Sequence, residues 1–355
     1  MLKSRRRRLL PFFEEHALDL LLIEHPVNLR YLSGFSGSEG ALLLSPEGGW
    51  FVCDSRYTVQ AGKEVADLLL VEQAQRQEAV ADLVRQSGGY RVGFEASHTT
   101  VTQHQGLAAR LPGVTLVGLG SELDAVRNCK DAGELEQLEQ VADLASAAFE
   151  AVLPQLQPGI REDSFALQLE FEMRRRGADG RAFDFIVASG PRGAMPHGRA
   201  SDKQVLAGEL VTIDFGAIKD GYHSDETVTL AVGSINTRQR QLYQTVLDAH
   251  DRAIAAVKPG IACRDLDALA REYIKEQGFG QYFGHGLGHG VGLDIHEKPV
   301  VSPRSDAVME EGMVFTIEPG IYIPGLGGVR IEDTVAVTSD GCRLLTKVSK
   351  QLVIV

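Results

Sequence analysis

An internal repeat constrains this chain more than any other feature. "PGI" at 158–160 recurs as "PGI" at 259–261, and the helical segment after each copy ends in glycine, Gly177 and Gly278, so every offset is 101 residues. Phe165 and Met173 fall on Leu266 and Ile274 in the same register. Farther on, "GELVTIDFG" from Gly208 matches "GMVFTIEPG" from Gly312 at an offset of 104, and "SDETV" from Ser224 matches "IEDTV" from Ile331. Asp214 therefore falls on Glu318, and Asp225 on Glu332. Two copies of a helix–strand–strand plan related by a pseudo-twofold axis bring corresponding elements together. The expectation is one domain in which four carboxylates converge.

Strand periodicity supports that convergence. "LVTIDFG" alternates, and "YHSDETVTLAV" returns after a turn at "KDG". A two-residue hairpin centred on Lys219-Asp220 sets Asp214 opposite Asp225. One centred on Asp220-Gly221, the favoured type I′ pair, sets Asp214 opposite Thr227 and diagonal to Asp225. Both registers keep the two acids on one face, whereas a three-residue loop without a bulge separates them. In "GGVRIEDTV", Arg330, Glu332 and Thr334 share a face.

Carboxylates packed together stay ionised only when cations neutralise them. The glycine-rich stretch "GHGLGHGVGLDIHE" at 284–297 places His285, His289 and His296 within twelve positions. Four carboxylates and one neutral histidine carry a formal charge of −4, which matches two divalent metal ions. Oxygen-rich ligation favours Mn²⁺, with Co²⁺ and Zn²⁺ also compatible. The competing reading, acidic residues at solvated strand ends, conflicts with the inward alternation.

The remaining sequence sets the frame. With 355 residues and 44% apolar composition, the chain can bury a large core, and its length suggests two domains. "ALLLSP" and "GWFVCD" read as strands, "SRYTVQAGKEVADLLLVE" as a helix running into a strand, and nothing there has G-x-G-x-x-G spacing. "DAGELEQLEQVADLASAAFEAVL" carries Leu135, Leu138, Val141, Ala145, Ala148 and Val152 at helical spacing and opens a second domain. The boundary is placed near residue 124, giving domains 1–123 and 124–355. A net charge of −12 argues against nucleic acid as the main partner. No apolar run approaches the roughly 18 residues that span a bilayer, so no membrane role is expected. The basic run in "MLKSRRRRLLPFFEEHALDLLLIEHP" is followed by Glu14, Glu15 and His16, which reads as a solvated basic face of a first helix rather than a targeting segment. Cys53, Cys129, Cys263 and Cys342 lack metal spacing and read as reduced, buried residues of a cytoplasmic protein.

"IDFG…SDET", "GHGLGHGVGLDIHE", "TIEPG" and "VRIEDT" together resemble the pita-bread metallopeptidases, in the Xaa-Pro branch of aminopeptidase P and prolidase. The resemblance covers the whole chain. It implies an α/β (α+β) fold, with a creatinase-like N-terminal α/β domain and a pseudo-twofold pita-bread catalytic domain. By position it implies Asp214, Asp225, His289, Glu318 and Glu332 as metal ligands, with Asp225 and Glu332 spanning both ions. His197, His285 and His296 would face substrate, and the glycines would let backbone approach the metal centre. Arg330 would orient Glu332, meet substrate or form a structural ion pair.

The implied activity is two-metal hydrolysis of the bond before proline, with Glu318 as proton shuttle, on peptides with proline in second position. His296 would stabilise the oxyanion. Relatives of this type are often homodimers. Some prolidases carry an arginine just after "HE-x-P" that captures the dipeptide's carboxylate, and this sequence has Val300 there. That departure favours aminopeptidase P over strict prolidase, unless a clamp comes from Arg56 or the basic N-terminus. Methionine aminopeptidase, a metal-free creatinase-like amidinohydrolase and a non-enzymatic binding module are more remote readings.

Overall fold

The computed structural model describes residues 2–355. Contacts divide the chain into two compact units, residues 1–127 and 128–355.

The first unit is built on a six-stranded mixed sheet. Its central strand, Leu20–Ile23, is buried along its length and pairs antiparallel with Ala41–Leu44 and parallel with Arg91–Glu95. The expected strands appear at Ala41–Leu44 and Gly49–Cys53, and the helix-to-strand segment becomes Thr58–Glu64 followed by Leu69–Glu72. Leu20, Leu22, Leu43, Val52, Val80, Val84 and Val92 fill its core. The basic run departs from expectation. Arg5 is buried, with its guanidinium on the Tyr31 carbonyl, while Arg6 donates to Leu32 O at 2.9 Å and Arg8 to Val126 O at 2.9 Å. Only Arg7 of this group is exposed. These arginines satisfy carbonyl groups inside the unit, a role that a charge run alone does not reveal.

The second unit carries the duplication. The helix Ala132–Val152 starts in a reciprocal capping box, with Glu134 N donating to Asp131 Oδ1 at 3.0 Å and Asp131 N to Glu134 Oε2 at 3.1 Å. It packs with Glu162–Arg175, and Thr237–Ala256 packs with Cys263–Glu276. Phe165, Met173, Leu266 and Ile274 are all fully buried, which is why the repeat preserves apolar residues at those positions. In the first half, Ile186–Ser189, Glu209–Phe215 and Glu226–Val232 form an antiparallel sheet. In the second, Val314–Ile317 and Asp333–Val337 pair antiparallel within a five-stranded sheet. This is the pseudo-twofold pita-bread arrangement. An isolated bridge from Thr227 to Glu332 joins the halves.

Two local outcomes decide the register. Asp220 and Gly221 both have positive φ, 49° and 76°, as a type I′ turn demands. The pairing Lys219 with Tyr222 then propagates to Asp214 with Thr227, so Asp214 lies diagonal to Asp225. "GGVRIEDTV", by contrast, is not one strand. It divides into Gly327–Arg330 and Asp333–Val337, which belong to different sheets. Of the four cysteines, all free, only Cys53 and Cys263 are buried; Cys129 and Cys342 are partly exposed, against expectation. No described helix is long and apolar enough to cross a membrane.

Candidate functional site

All nine residues singled out from the sequence line one cavity of about 620 Å³ in the second unit: His197, Asp214, Asp225, His285, His289, His296, Glu318, Arg330 and Glu332. Each arrives from a strand end or a tight loop. Asp214 is the penultimate residue of its strand, Asp225 immediately precedes the returning strand, and Glu318 and Glu332 flank the paired strands Val314–Ile317 and Asp333–Val337. Strand termini suit charged groups, because there the side chain leaves the apolar interior while the backbone stays paired.

The ligand atoms of Asp225, His289 and Glu332 all lie within 4.8 Å of one another. His289 Nε2 is 3.6 Å from Asp225 Oδ2 and 3.5 Å from Glu318 Oε1. Asp214 accepts from Arg330 Nη2 at 2.7 Å through Oδ2, while its Oδ1 is buried without a partner. A buried carboxylate oxygen without a donor is costly unless something electropositive meets it.

Threonines hold the acids in place. Thr227 Oγ1 donates to Glu332 Oε2 at 2.5 Å and accepts from Arg330 Nε at 3.2 Å. Thr334 Oγ1 donates to the Asp225 carbonyl at 2.7 Å, and Thr316 Oγ1 to Glu318 Oε1 at 3.3 Å.

The charges are strongly frustrated. Desolvation holds the Asp225 and Glu332 carboxyls well above the usual carboxylate range, and neighbouring acids push them further. Glu318 is pushed up to about 8, chiefly by desolvation, against the pull of Arg330. Desolvation, helped by His296, lowers His289 to about 4, so its imidazole is neutral at pH 7 and free to act as a ligand. His289 Nδ1 faces Gly290 O at 3.1 Å, which leaves Nε2 toward the acids. Arg330 meets one of the cavity acids; divalent cations would compensate the others.

The glycines also permit close strand packing. A Cβ on Gly288 would sit 1.9 Å from Thr316 O, and one on Gly290 would sit 2.2 Å from Lys298 O. They let the strand carrying His289 lie close against its two neighbours, and Gly286 and Gly288 also line the cavity with the acids.

Sequence reasoning missed three groups. Tyr322 is buried, accepting from Arg330 Nη1 at 3.0 Å and meeting His285 Nε2 at 2.8 Å. Desolvation pushes its phenol up to about 12, so it stays neutral. Thr227 was legible in principle, since it shares a strand face with Asp225. Lys350 was not. Its Nζ lies 2.5 Å from Glu226 Oε1 and 3.3 Å from Asp333 Oδ1. Each repeated motif holds two adjacent acids, and in a strand adjacent side chains point oppositely. One acid of each pair reaches the cavity, and the other reaches Lys350. Arg56, considered as a distant clamp, has its guanidinium paired with Asp54 at 2.7 Å within the first unit.

Comparisons with known proteins agree with this fold. Residues 136–339 match metallopeptidase family M24, and residues 5–129 match the creatinase/prolidase N-terminal domain. The chain belongs to metallopeptidase family M24 and is a hydrolase. It is 40% identical to the Xaa-Pro dipeptidase of Pyrococcus furiosus, over 99% of this chain and 100% of that protein. It superposes on the structure of an Xaa-Pro dipeptidase from Bacillus anthracis with a TM-score of 0.98 at 40% identity, covering 100% of both chains. For an X-Pro aminopeptidase from Thermotoga maritima the TM-score is 0.91 at 36% identity, over 96% of this chain and 98% of that one.

Proposed function

We propose that this chain is an Xaa-Pro dipeptidase that works with two divalent metal ions, Mn²⁺ foremost. The carrying observation is the cluster of four carboxylates and one neutral imidazole around a single cavity, with a buried Asp214 oxygen left for a cation. Asp214, Asp225, His289, Glu318 and Glu332 would hold the ions, and a donor set of oxygens with one nitrogen fits Mn²⁺ better than a thiolate-type metal. When bound, the ions supply Lewis acidity and activation of water. The sequence departure at Val300 favours aminopeptidase P, but the relatives named Xaa-Pro dipeptidase support the dipeptide-cleaving reading over it.

The chain's own residues supply the rest. Glu318 faces the cavity beside His289 and would take a proton from the attacking water and return it to the leaving nitrogen. His296 donates to the developing oxyanion. The nitrogen before cleavage is a tertiary amide without N–H, so no hydrogen bond can recognise it. Phe183, Ile295 and Val300 give the cavity an apolar wall that fits a pyrrolidine ring. His285 is kept neutral by desolvation, which lowers it to about 4, and is oriented by Tyr322.

One observation favours aminopeptidase P as a second reading. Asp184 and Arg199 line both this cavity and an adjoining groove of about 630 Å³, which gives room beyond proline. The test is hydrolysis by metal-stripped enzyme reloaded with Mn²⁺, Co²⁺ or Zn²⁺, on Xaa-Pro, Xaa-Pro-Yaa and Met-Ala. Preference for Xaa-Pro is expected. Better cleavage of the tripeptide would favour aminopeptidase P, and cleavage of Met-Ala alone would point to methionine aminopeptidase.

A further inference from the structure

Two cavity histidines are supported in different ways. His285 is met at both ring nitrogens, by Gly286 O and by the Tyr322 hydroxyl, each at 2.8 Å. The ring of His197 lines the same cavity with no hydrogen-bond partner among the described residues. Where that ring points is therefore set by the backbone of its loop, residues 190–200, which follows the strand Ile186–Ser189.

The loop converges on one carboxylate. Glu162, the first residue of the helix Glu162–Arg175, is fully buried and lies outside the cavity lining. Its Oε1 accepts from Ser189 N and Ser189 Oγ, both at 2.8 Å, where the loop begins. Its Oε2 accepts from Ser201 N at 3.2 Å and Ser201 Oγ at 2.7 Å, where the loop ends, and from Arg192 Nε at 2.9 Å within it. Arg192 also spans the loop to donate to the Arg199 carbonyl. On its other side the loop lies against the strand Gly327–Arg330. A Cβ on Gly328 would sit 2.1 Å from Gly193 O, and Arg330 Nη1 donates to Pro196 O at 3.0 Å. A buried carboxylate is tolerated when donors satisfy it, and a fully satisfied network specifies one geometry.

We infer that Glu162 is the positioning residue of His197: by gathering both ends and the middle of the loop, it fixes the backbone that aims the imidazole into the cavity. The inference rests on the Xaa-Pro dipeptidase reading, in which His197 meets substrate. A glutamate that merely stabilised the fold would act on every cavity group alike, whereas one that acts through His197 loses its kinetic effect once that ring is gone.

The experiment is a double-mutant cycle on Met-Pro with Mn²⁺-loaded wild type, E162Q, H197A and the double variant. Gln keeps the shape of Glu162 but cannot accept from every donor around it. E162Q and H197A are each expected to lower kcat/KM on the order of 10- to 100-fold, and the double variant to fall no lower than H197A. R192M, which removes the charged donor from a part-exposed site, replaces E162Q in the cycle if that variant does not fold. Additive losses, or wild-type rates in either single variant, would overturn the assignment. Histidine-selective ¹⁵N NMR on the Zn²⁺-loaded protein reads the same geometry without turnover. The His197 ring signal should shift or broaden in E162Q more than that of His285, and an unmoved His197 signal would also overturn it. Wild type that leaves Met-Pro uncut sinks the dipeptidase reading, while the NMR comparison still decides what Glu162 holds.

Discussion

Arg330 and Asp214 divide the work of one carboxylate. Arg330 Nη2 sits 2.7 Å from Asp214 Oδ2, and Asp214 Oδ1 stays buried with no protein donor. One oxygen is neutralised by the protein and the other is held open toward the acid cluster. The two residues come from opposite halves of the repeat, so the pair also ties the halves together. Removing the guanidinium leaves an uncompensated buried charge. Arg330→Met should destabilise metal-free protein by about 3–5 kcal/mol in urea denaturation. Saturating Mn²⁺ should shrink that loss, because the ions take over the compensation. Equal losses with and without Mn²⁺ would show that Arg330 acts only as packing.

The acid cluster sets a pH signature for metal-free protein. The Glu318 carboxyl is pushed from 4.5 to about 8, mainly by desolvation, and Asp225 and Glu332 shift in the same direction. Between those two values the folded chain keeps a proton that the unfolded chain has released. The stabilising contribution is therefore fully present below pH 4.5 and is lost as pH rises through about 8. With saturating Mn²⁺ the slope should reverse, since ligands must be deprotonated to bind. Thermal melts from pH 5 to pH 8, with and without Mn²⁺, read both slopes; parallel profiles would refute metal binding at these acids.

Glu318→Gln removes the proton carrier and keeps the side chain's shape and its bond from Thr316. A fall in kcat of about 10²- to 10⁴-fold is expected, with KM for Xaa-Pro little changed. Raising Mn²⁺ concentration should not restore the rate. Full restoration by metal would reduce Glu318 to a ligand without a part in proton transfer.

Tyr322 should matter through His285. Tyr322→Phe deletes the hydroxyl that joins His285 Nε2 and Arg330 Nη1. Loss of roughly tenfold in kcat/KM is expected, with metal content unchanged by elemental analysis. Unaltered kinetics would mean that His285 needs no positioning.

Lys350 answers the acids that point away from the cavity. It is buried between Glu226 and Asp333, each adjacent in sequence to a cavity acid. Lys350→Met should cost about 3–5 kcal/mol by stranding two buried carboxylates. A loss under about 1 kcal/mol would place the network among weak surface pairs.

Much of this protein was legible before its fold. Repetition of apolar residues at fixed offsets disclosed the paired helices, because Phe165, Met173, Leu266 and Ile274 had to face a core whatever its shape. Alternation in "LVTIDFG" and the Asp220-Gly221 turn set the register that leaves Asp214 and Asp225 on one face. Local rules sufficed there, since a strand's side-chain period and a turn's φ values belong to a few consecutive residues. The convergence of nine named residues on one cavity followed from that periodicity, the duplication and family resemblance together.

Other features were decided only in three dimensions. No local pattern says that "VRIEDTV" breaks between two sheets, that Arg5 is buried, or that Lys350 reaches Glu226 and Asp333. Whether a charged side chain is neutralised depends on partners that can lie more than 100 positions away, as Asp214 does from Arg330. Electrostatic compensation is a property of through-space distance and burial, and chain order carries neither.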